Sequence, residues 1–419
     1  MWVARLPGRK NAAYGLALAL LLVFSFLATR GPSDHASFST LGARAVVEHP
    51  ARVLVARGVK GIASSPVAGP LSVTGARILD AHGQPVAFRG VNSGWLTTRS
   101  KGLWDESPLS DRSIGVMRQW GMNIVRVELS EQFWNSDECL HSASYAPTID
   151  RVVRSITGRG MVALLDLHTV TGERCGKAGQ LRLADKGSLK FWTEVANRYG
   201  TNPLVAFDVF NEPHGVNESM WRNGTPDSDD LGYRGVGMQD LVAAIRSTGA
   251  KNLVFVSGNN WGATPPQQLV FGRNLVYAAH SYTCPTEAPP KCSAPQPQVA
   301  APANGARLSA WNELASRSPV VVTEFGWPGS DPSGAFVRSV ISWSEQHAQG
   351  WIGFDWMAQQ DSPRATTGFG LITDFTTMRP NSTGKVILDA MRSYGRPMKP
   401  AKQSGRADAV TQVAGPPAR

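Results

Sequence analysis

Between residues 71 and 394 the chain alternates two patterns of apolar positions. Short runs rich in Val, Ile, Leu and Ala predict strands at Val86–Val91, Ile124–Val127, Val162–Leu167, Val205–Phe210, Leu253–Val256, Leu275–Ala279, Val320–Thr323 and Gly353–Asp355. Longer stretches with apolar residues three and four apart predict helices at Ser110–Trp120, Ile149–Arg159, Ser188–Tyr199, Gly237–Thr248, Arg307–Ser316 and Phe336–Gln349. Gly121, Gly160, Gly200 and Gly350 stand where helices are expected to end.

Repeated strand-helix units imply a parallel sheet, because parallel neighbours need a crossover between them. Eight such units, with Asn92, Ser93, Gly94 and Trp95 after the first strand instead of a glycine-rich phosphate loop, predict an α/β fold. The expected architecture is a single (β/α)8 TIM barrel, not a doubly wound dinucleotide-binding sheet.

The flanks read differently. Arg5, Arg9 and Lys10 precede the apolar stretch Ala12–Ala28, so residues 1–30 are expected to be a signal peptide or a membrane anchor. Residues 31–70 read as a flexible linker, and 395–419 as a disordered basic tail. The formal charge of +10 belongs to the ends, since residues 1–68 carry a net +6 and residues 395–419 a net +4. The barrel itself has no overall bias toward phosphate, which argues against nucleic acid and for a neutral ligand. The expected location is outside the cytoplasm, secreted or membrane-anchored through residues 12–28, and the expected state is a monomer.

Four cysteines fit export. Cys284 and Cys292 enclose a Pro-rich loop and are expected to form a local bridge, which would leave Cys139 to pair with Cys175, although sequence alone allows three connectivities. No closely spaced Cys/His set suggests a metal, so neither metal nor cofactor is expected.

Polar residues collect at the C-terminal ends of the expected strands, where such barrels build their sites. Arg126 follows the second strand, His168 the third, Asn211 and Glu212 the fourth, and Asn260 and Trp261 the fifth. His280 and Tyr282 follow the sixth, Glu324 the seventh and Trp356 the eighth. A satisfied structural histidine or a core tryptophan explains any one of these alone; it does not explain all of them at one rim. Two carboxylates on two strand ends suit hydrolysis of a glycosidic bond, in which one donates a proton and the other attacks or activates water.

With Asn211-Glu212-Pro213 at one strand end, Glu324 at another, and Arg126, His168, His280, Tyr282 and Trp356 at matching positions, residues 72–394 resemble glycoside hydrolase family 5, home of many endo-β-1,4-glucanases. The resemblance implies that Glu212 is the general acid/base and Glu324 the nucleophile, with retention through a covalent glycosyl-enzyme. The chemistry of the side chains runs in parallel. Arg126 is the natural cation to keep Glu324 ionised, Tyr282 can donate to the same carboxylate, and Asn211 can offer its amide to the sugar 2-hydroxyl. His168 and His280 are expected to bind hydroxyls or tune the carboxylates.

Trp356 is expected to form the platform beneath the sugar, with Trp95, Trp134, Trp261 and Trp327 as further subsite walls; core packing is the alternative for each. Asp166 and Asp208 read as buried hydrogen-bonding residues. The substrate expected is a polysaccharide, first a β-1,4-glucan, then β-mannan or a β-1,3/1,6-glucan. A non-catalytic glycan-binding barrel would have no need of both Glu212 and Glu324 with their Arg and Tyr.

Overall fold

The computed structural model describes residues 65–97, 108–168, 181–226, 231–282, 308–326, 334–358 and 369–394. A short antiparallel hairpin, β1 (Ser72–Thr74) and β2 (Arg77–Leu79), comes first. Eight parallel strands follow: β3 (Phe88–Ser93), β4 (Ile124–Leu129), β5 (Val162–Leu167), β6 (Val205–Asp208), β7 (Val254–Ser257), β8 (Leu275–Tyr282), β9 (Val320–Gly326) and β10 (Gly350–Gly353). They close in chain order, with β10 pairing back onto β3. The helices are α1 (Asp111–Gln119), α2 (Glu131–Trp134), α3 (Tyr145–Thr157), α4 (Lys186–Tyr199), α5 (Glu218–Asn223), α6 (Met238–Ser247), α7 (Asn312–Arg317), α8 (Ala335–His347) and α9 (Ser382–Tyr394). The fold is the closed parallel barrel that the alternation of patterns predicts.

Side chains alternate across each strand, and this period separates two cores. Outward residues such as Val125, Val127 and Leu129 of β4 pack with Ile149, Val152 and Ile156 of α3 in the main cluster. Inward residues Phe88, Ile124, Leu164, Ala206, Phe255, Ala278, Val321 and Ile352 form a second cluster, which Ile78 of the hairpin joins with no exposed surface. Burying that one side chain contributes about 1.5–3 kcal/mol.

Further along the same inward rows the chemistry changes. Ile124 gives way to Arg126 and Glu128 on β4, and Leu164 to Asp166 and His168 on and just beyond β5. Glu128, Asp166 and Asp208 are aligned across β4, β5 and β6. The base of the barrel is thus apolar and its C-terminal end charged.

Local chemistry fixes the helix starts. Ser110 caps α1 by accepting from the Ser113 amide, and Asp185 with Ser188 forms a reciprocal capping box at α4. Several strand boundaries differ from expectation: β4, β8 and β9 run on to Leu129, Tyr282 and Gly326, so that His280, Tyr282 and Glu324 lie within strands, and β6 stops at Asp208. The first strand runs on through Asn92, and the last begins at Gly350 and ends at Gly353. Gly350 is a strand residue, not a helix exit: its φ is +142°, and a Cβ there would lie 2.1 Å from the Phe88 carbonyl oxygen. Helices α5 and α9 and the hairpin carry patterns too short or too mixed to stand out in the sequence.

Cys139 is disulfide-bonded. Cys175, Cys284, Cys292 and the apolar stretch 12–28 lie outside the described residues, among which no helix is long and apolar enough to cross a membrane.

Candidate active site

Arg126 is the hub of the charged end. It is wholly buried, and its guanidinium donates to Asp208 Oδ2 at 2.9 Å, Asn92 Oδ1 at 3.0 Å, Glu324 Oε1 at 2.5 Å and Asn211 Oδ1 at 2.9 Å. Asp166 Oδ1 lies 3.0 Å from Nη2. From sequence Arg126 reads both as the cation for Glu324 and as one of the substrate-binding residues; the structure places it against Glu324 and, by burial, removes it from the substrate-binding set. With no exposed surface it reaches no ligand, and acts by fixing Glu324 and Asn211. Asp166 and Asp208 are the buried partners that a cation in this position requires. Accepting at Oδ1 turns the Asn211 amide N–H2 end away from the guanidinium.

Glu324, on β9, also accepts from the Tyr282 hydroxyl at 2.8 Å through Oε2. Burial works against its negative charge, but His280, Arg126 and His168 outweigh burial and hold the carboxyl well below the usual range. Glu212, beyond the end of β6, is the more exposed of the two carboxylates. His280 stands between them, with Nδ1 2.9 Å from Glu212 Oε1 and 3.6 Å from Glu324 Oε2. A register irregularity after Ala279 in β8 brings His280 level with Glu324. Gly262 closes over the imidazole: its φ is +70°, and a Cβ would fall 2.7 Å from His280 Cγ.

His168 lies on the other side of Glu324, between two carboxylates. Its Nδ1 is 2.7 Å from Asp166 Oδ2 and its Nε2 3.4 Å from Glu128 Oε2. Burial opposes a charge on the ring, but Glu128 and Asp166 prevail and raise the imidazole to about 9. Glu128 was missed in the sequence, although its place two residues after Arg126 on one strand put it on the same inward row. Asp355, another unanticipated carboxyl, is buried after β10, and burial with Glu128 and Glu324 nearby pushes it well above the ordinary value.

The aromatic expectations divide. Trp356 is a correction: it has no exposed surface, meets Trp120 edge-on with ring centroids 4.9 Å apart, and donates its indole N–H to Ser113 Oγ at 2.6 Å. Because β10 ends at Gly353, Trp356 falls three residues past the rim and turns into the core. Phe354 is the residue next to the strand end, partly exposed and edge-on to Tyr282 at 6.1 Å. Trp134 is also core, packed on Phe191. Trp261 is half-buried and stacks on His214 with centroids 3.4 Å apart, while His214 Nδ1 lies 2.9 Å from the Glu212 carbonyl oxygen. Asn260 and Trp261 both hold positive φ, 53° and 63°, an unusual conformation for a bulky side chain and one found at functional loops. The side chain of Trp95 and all of Trp327 lie outside the described residues.

Residues 79–360 match the cellulase family, glycosyl hydrolase family 5. The chain belongs to glycosyl hydrolase family 5. Among the family's proteins it is similar to an endoglucanase of Paenibacillus polymyxa, 26% identical over 79% of this chain and 85% of that one. A mannan endo-1,4-β-mannosidase of Salipaludibacillus agaradhaerens is 24% identical over 68% of this chain and 80% of the relative. The fold is like that of a β-glucanase of Saccharophagus degradans solved with cellotetraose, TM-score 0.58 and 20% identity, covering 83% and 98% of the two chains. It is also like the catalytic domain of the major endoglucanase of Xanthomonas campestris, TM-score 0.57 and 18% identity, covering 77% and 99%. As a member of family 5 the protein is a glycoside hydrolase.

Two groups in this hydrolase bring three ligand-type atoms within 4.8 Å of one another: Glu128, His168 and Glu324, and Glu212, His280 and Glu324. Both share Glu324, whose oxygens already accept from Arg126 and Tyr282. A cation at either place would compete with the Arg126 guanidinium.

Proposed function

We propose that this family 5 hydrolase is a retaining endo-β-1,4-glucanase, exported and held outside the cytoplasm, with Glu324 as nucleophile and Glu212 as acid/base. The observation that carries the reading is that carboxylate oxygens of Glu212 and Glu324 lie within 4.8 Å of each other. That approach supports direct attack, for which carboxyls stand ~5–5.5 Å apart, over the ~6.5–9.5 Å separation of an inverting site.

In the first step Glu324, ionised beside Arg126 and Tyr282, attacks the anomeric carbon while Glu212 gives its proton to the leaving oxygen. The glycosyl ester formed on Glu324 then yields to water, from which Glu212 takes the proton. Asn211 offers its amide to the 2-hydroxyl. Trp261, backed by His214 and next to the acid/base, supplies an apolar face on the leaving-group side.

Cellulose-type glucan is preferred because relatives include endoglucanases and a glucanase solved with cellotetraose. β-Mannan is the second reading, favoured by the mannan endo-1,4-β-mannosidase relative. Export through residues 1–30, by a cleaved signal or an anchor, accords with the apolar stretch after Arg9 and Lys10 and with a disulfide at Cys139. Cys175 is its proposed partner.

Reducing-sugar release by the purified full chain on carboxymethylcellulose, mixed-linkage glucan, glucomannan, galactomannan, laminarin and xylan tests the reading. Activity on the β-1,4-glucans that vanishes in Glu212→Gln is expected. Activity confined to galactomannan would transfer the assignment to mannan, and silence of the folded protein on every polymer would overturn it.

A further inference from the structure

β6 stops at Asp208, so Glu212 is carried by irregular chain and its place must be fixed from outside the sheet. His214 supplies one such contact. Its imidazole Nδ1 lies 2.9 Å from the Glu212 carbonyl oxygen, and because a carbonyl only accepts, Nδ1 carries the proton and donates it. The face of the same ring lies on the Trp261 indole, with 3.4 Å between centroids and 12° between planes.

The loop after β7 returns the contact. The Trp261 amide donates to the Pro213 carbonyl at 2.9 Å, and the His280 amide donates to the Gly262 carbonyl at 2.9 Å. His280 Nδ1 in turn stands 2.9 Å from Glu212 Oε1. Glu212 is thus tied to this loop twice, through its backbone by His214 and through its carboxyl by His280. Asn260 and Trp261 hold positive φ, a shape that persists only where neighbours enforce it. Trp261 itself is half-buried and keeps part of its surface open beside Glu212. A ring that only filled the space against Trp261 would need no N–H, and a donor for the carbonyl alone would need no aromatic face. His214 provides both.

We propose that His214 is a positioning residue that joins the acid/base and the leaving-group wall into one unit, so that a sugar seated on Trp261 meets the Glu212 proton at a fixed distance. The proposal rests on the glycosidase reading above. It assigns separate tasks to the two parts of the imidazole: the N–H governs proton donation, and the ring face governs the hold on the leaving-group side.

The test separates them with a leaving-group series. Aryl β-glycosides of the disaccharide from whichever polymer the wild type cleaves, running from dinitrophenyl through nitrophenyl to phenyl, are compared by kcat/KM, which reports the step in which Glu212 gives its proton. In His214→Phe, which keeps the face and loses the donor, kcat/KM should fall roughly 3- to 10-fold on the phenyl glycoside, the range for one net hydrogen bond. On the dinitrophenyl glycoside, whose leaving group needs little protonation, it should fall less than about twofold. In His214→Asn, whose amide nitrogen can take the place of Nδ1, the series should run parallel to wild type while KM for the polymer rises about 3- to 10-fold with the loss of the stack. His214→Ala removes both and should show both effects, and it serves if either of the others does not fold. Equal losses along the series in His214→Phe, or an unchanged polymer KM in His214→Asn, would overturn the proposal and leave His214 a packing residue. A wild type that cleaves no glycoside would instead overturn the glycosidase reading itself.

Discussion

The Tyr282 hydroxyl donates to Glu324 Oε2 at 2.8 Å while Arg126 occupies Oε1. Glu324, the proposed nucleophile, is therefore held by one neutral and one cationic donor. Tyr282→Phe removes the first without disturbing the second. A hydrogen bond to a charged group contributes about 1.5–3 kcal/mol, so kcat should fall roughly 10- to 100-fold while thermal stability changes little. A kcat within twofold of wild type would show that Tyr282 does not position the nucleophile.

Glu324→Gln should abolish turnover, because the amide cannot form the glycosyl ester. In Glu324→Ala, azide is expected to restore part of the activity and give a glycosyl azide of inverted configuration, read by NMR. Full activity in Glu324→Gln would remove the nucleophile from that position.

Arg126 neutralises Asp166, Asp208 and Glu324 in one buried place. Arg126→Met leaves those carboxylates without their cation, and breaking a buried network from one side costs about 3–5 kcal/mol. The expected result is a large fall in Tm together with loss of activity, measured by thermal denaturation and substrate hydrolysis. Arg126→Lys should rescue little, since one ammonium cannot replace a forked donor set.

The pH dependence of stability follows from His168 and Glu128. His168 is raised to about 9, so its contribution is complete below its unfolded value near 6.5 and is lost as pH rises through 9. Glu128 is raised as well, and a carboxyl raised on folding also favours the folded state at lower pH. Tm should therefore fall with rising pH, through Glu128 between about pH 4.5 and 7 and through His168 between about 6.5 and 9. The slope should be shallower in His168→Gln, and an unchanged slope would contradict a charged His168. Glu324 works in the opposite sense: held well below its unfolded value, it stabilises above about pH 4.5 and loses that contribution as pH falls toward 2.

Trp356 gives up the platform role that its position in the sequence implies, while Trp261 stays a candidate subsite wall. Trp261→Ala should lower kcat/KM on polymer about 3- to 10-fold, in line with ~0.5–1.5 kcal/mol for an aromatic contact, with modest change in Tm. Trp356→Phe should instead lower Tm, through the lost Ser113 bond and the poorer fit against Trp120, and leave KM alone. KM rising in Trp356→Phe with Tm unchanged would reverse this assignment.

Much of this protein is written in local pattern. Alternating β-branched runs and amphipathic stretches determine a parallel barrel, and strand-end polarity collects Arg126, His168, Asn211, Glu212, His280, Tyr282 and Glu324 at one mouth. These features depend on period and order, which a chain carries in itself. The missed residues are those whose roles depend on depth. Sequence alone makes Arg126 and Trp356 substrate-binding candidates, because it places a residue along a strand but does not say how far below the rim it lies. Where β10 stops at Gly353 decides that Trp356 is core and Phe354 stands at the edge. The closing of the barrel decides that Glu128, Asp166 and Asp208 crowd around one guanidinium and two imidazoles. Pairing of charges far apart in sequence is a property of the closed sheet, because only closure brings their strands within hydrogen-bonding reach and removes the water that would otherwise screen them.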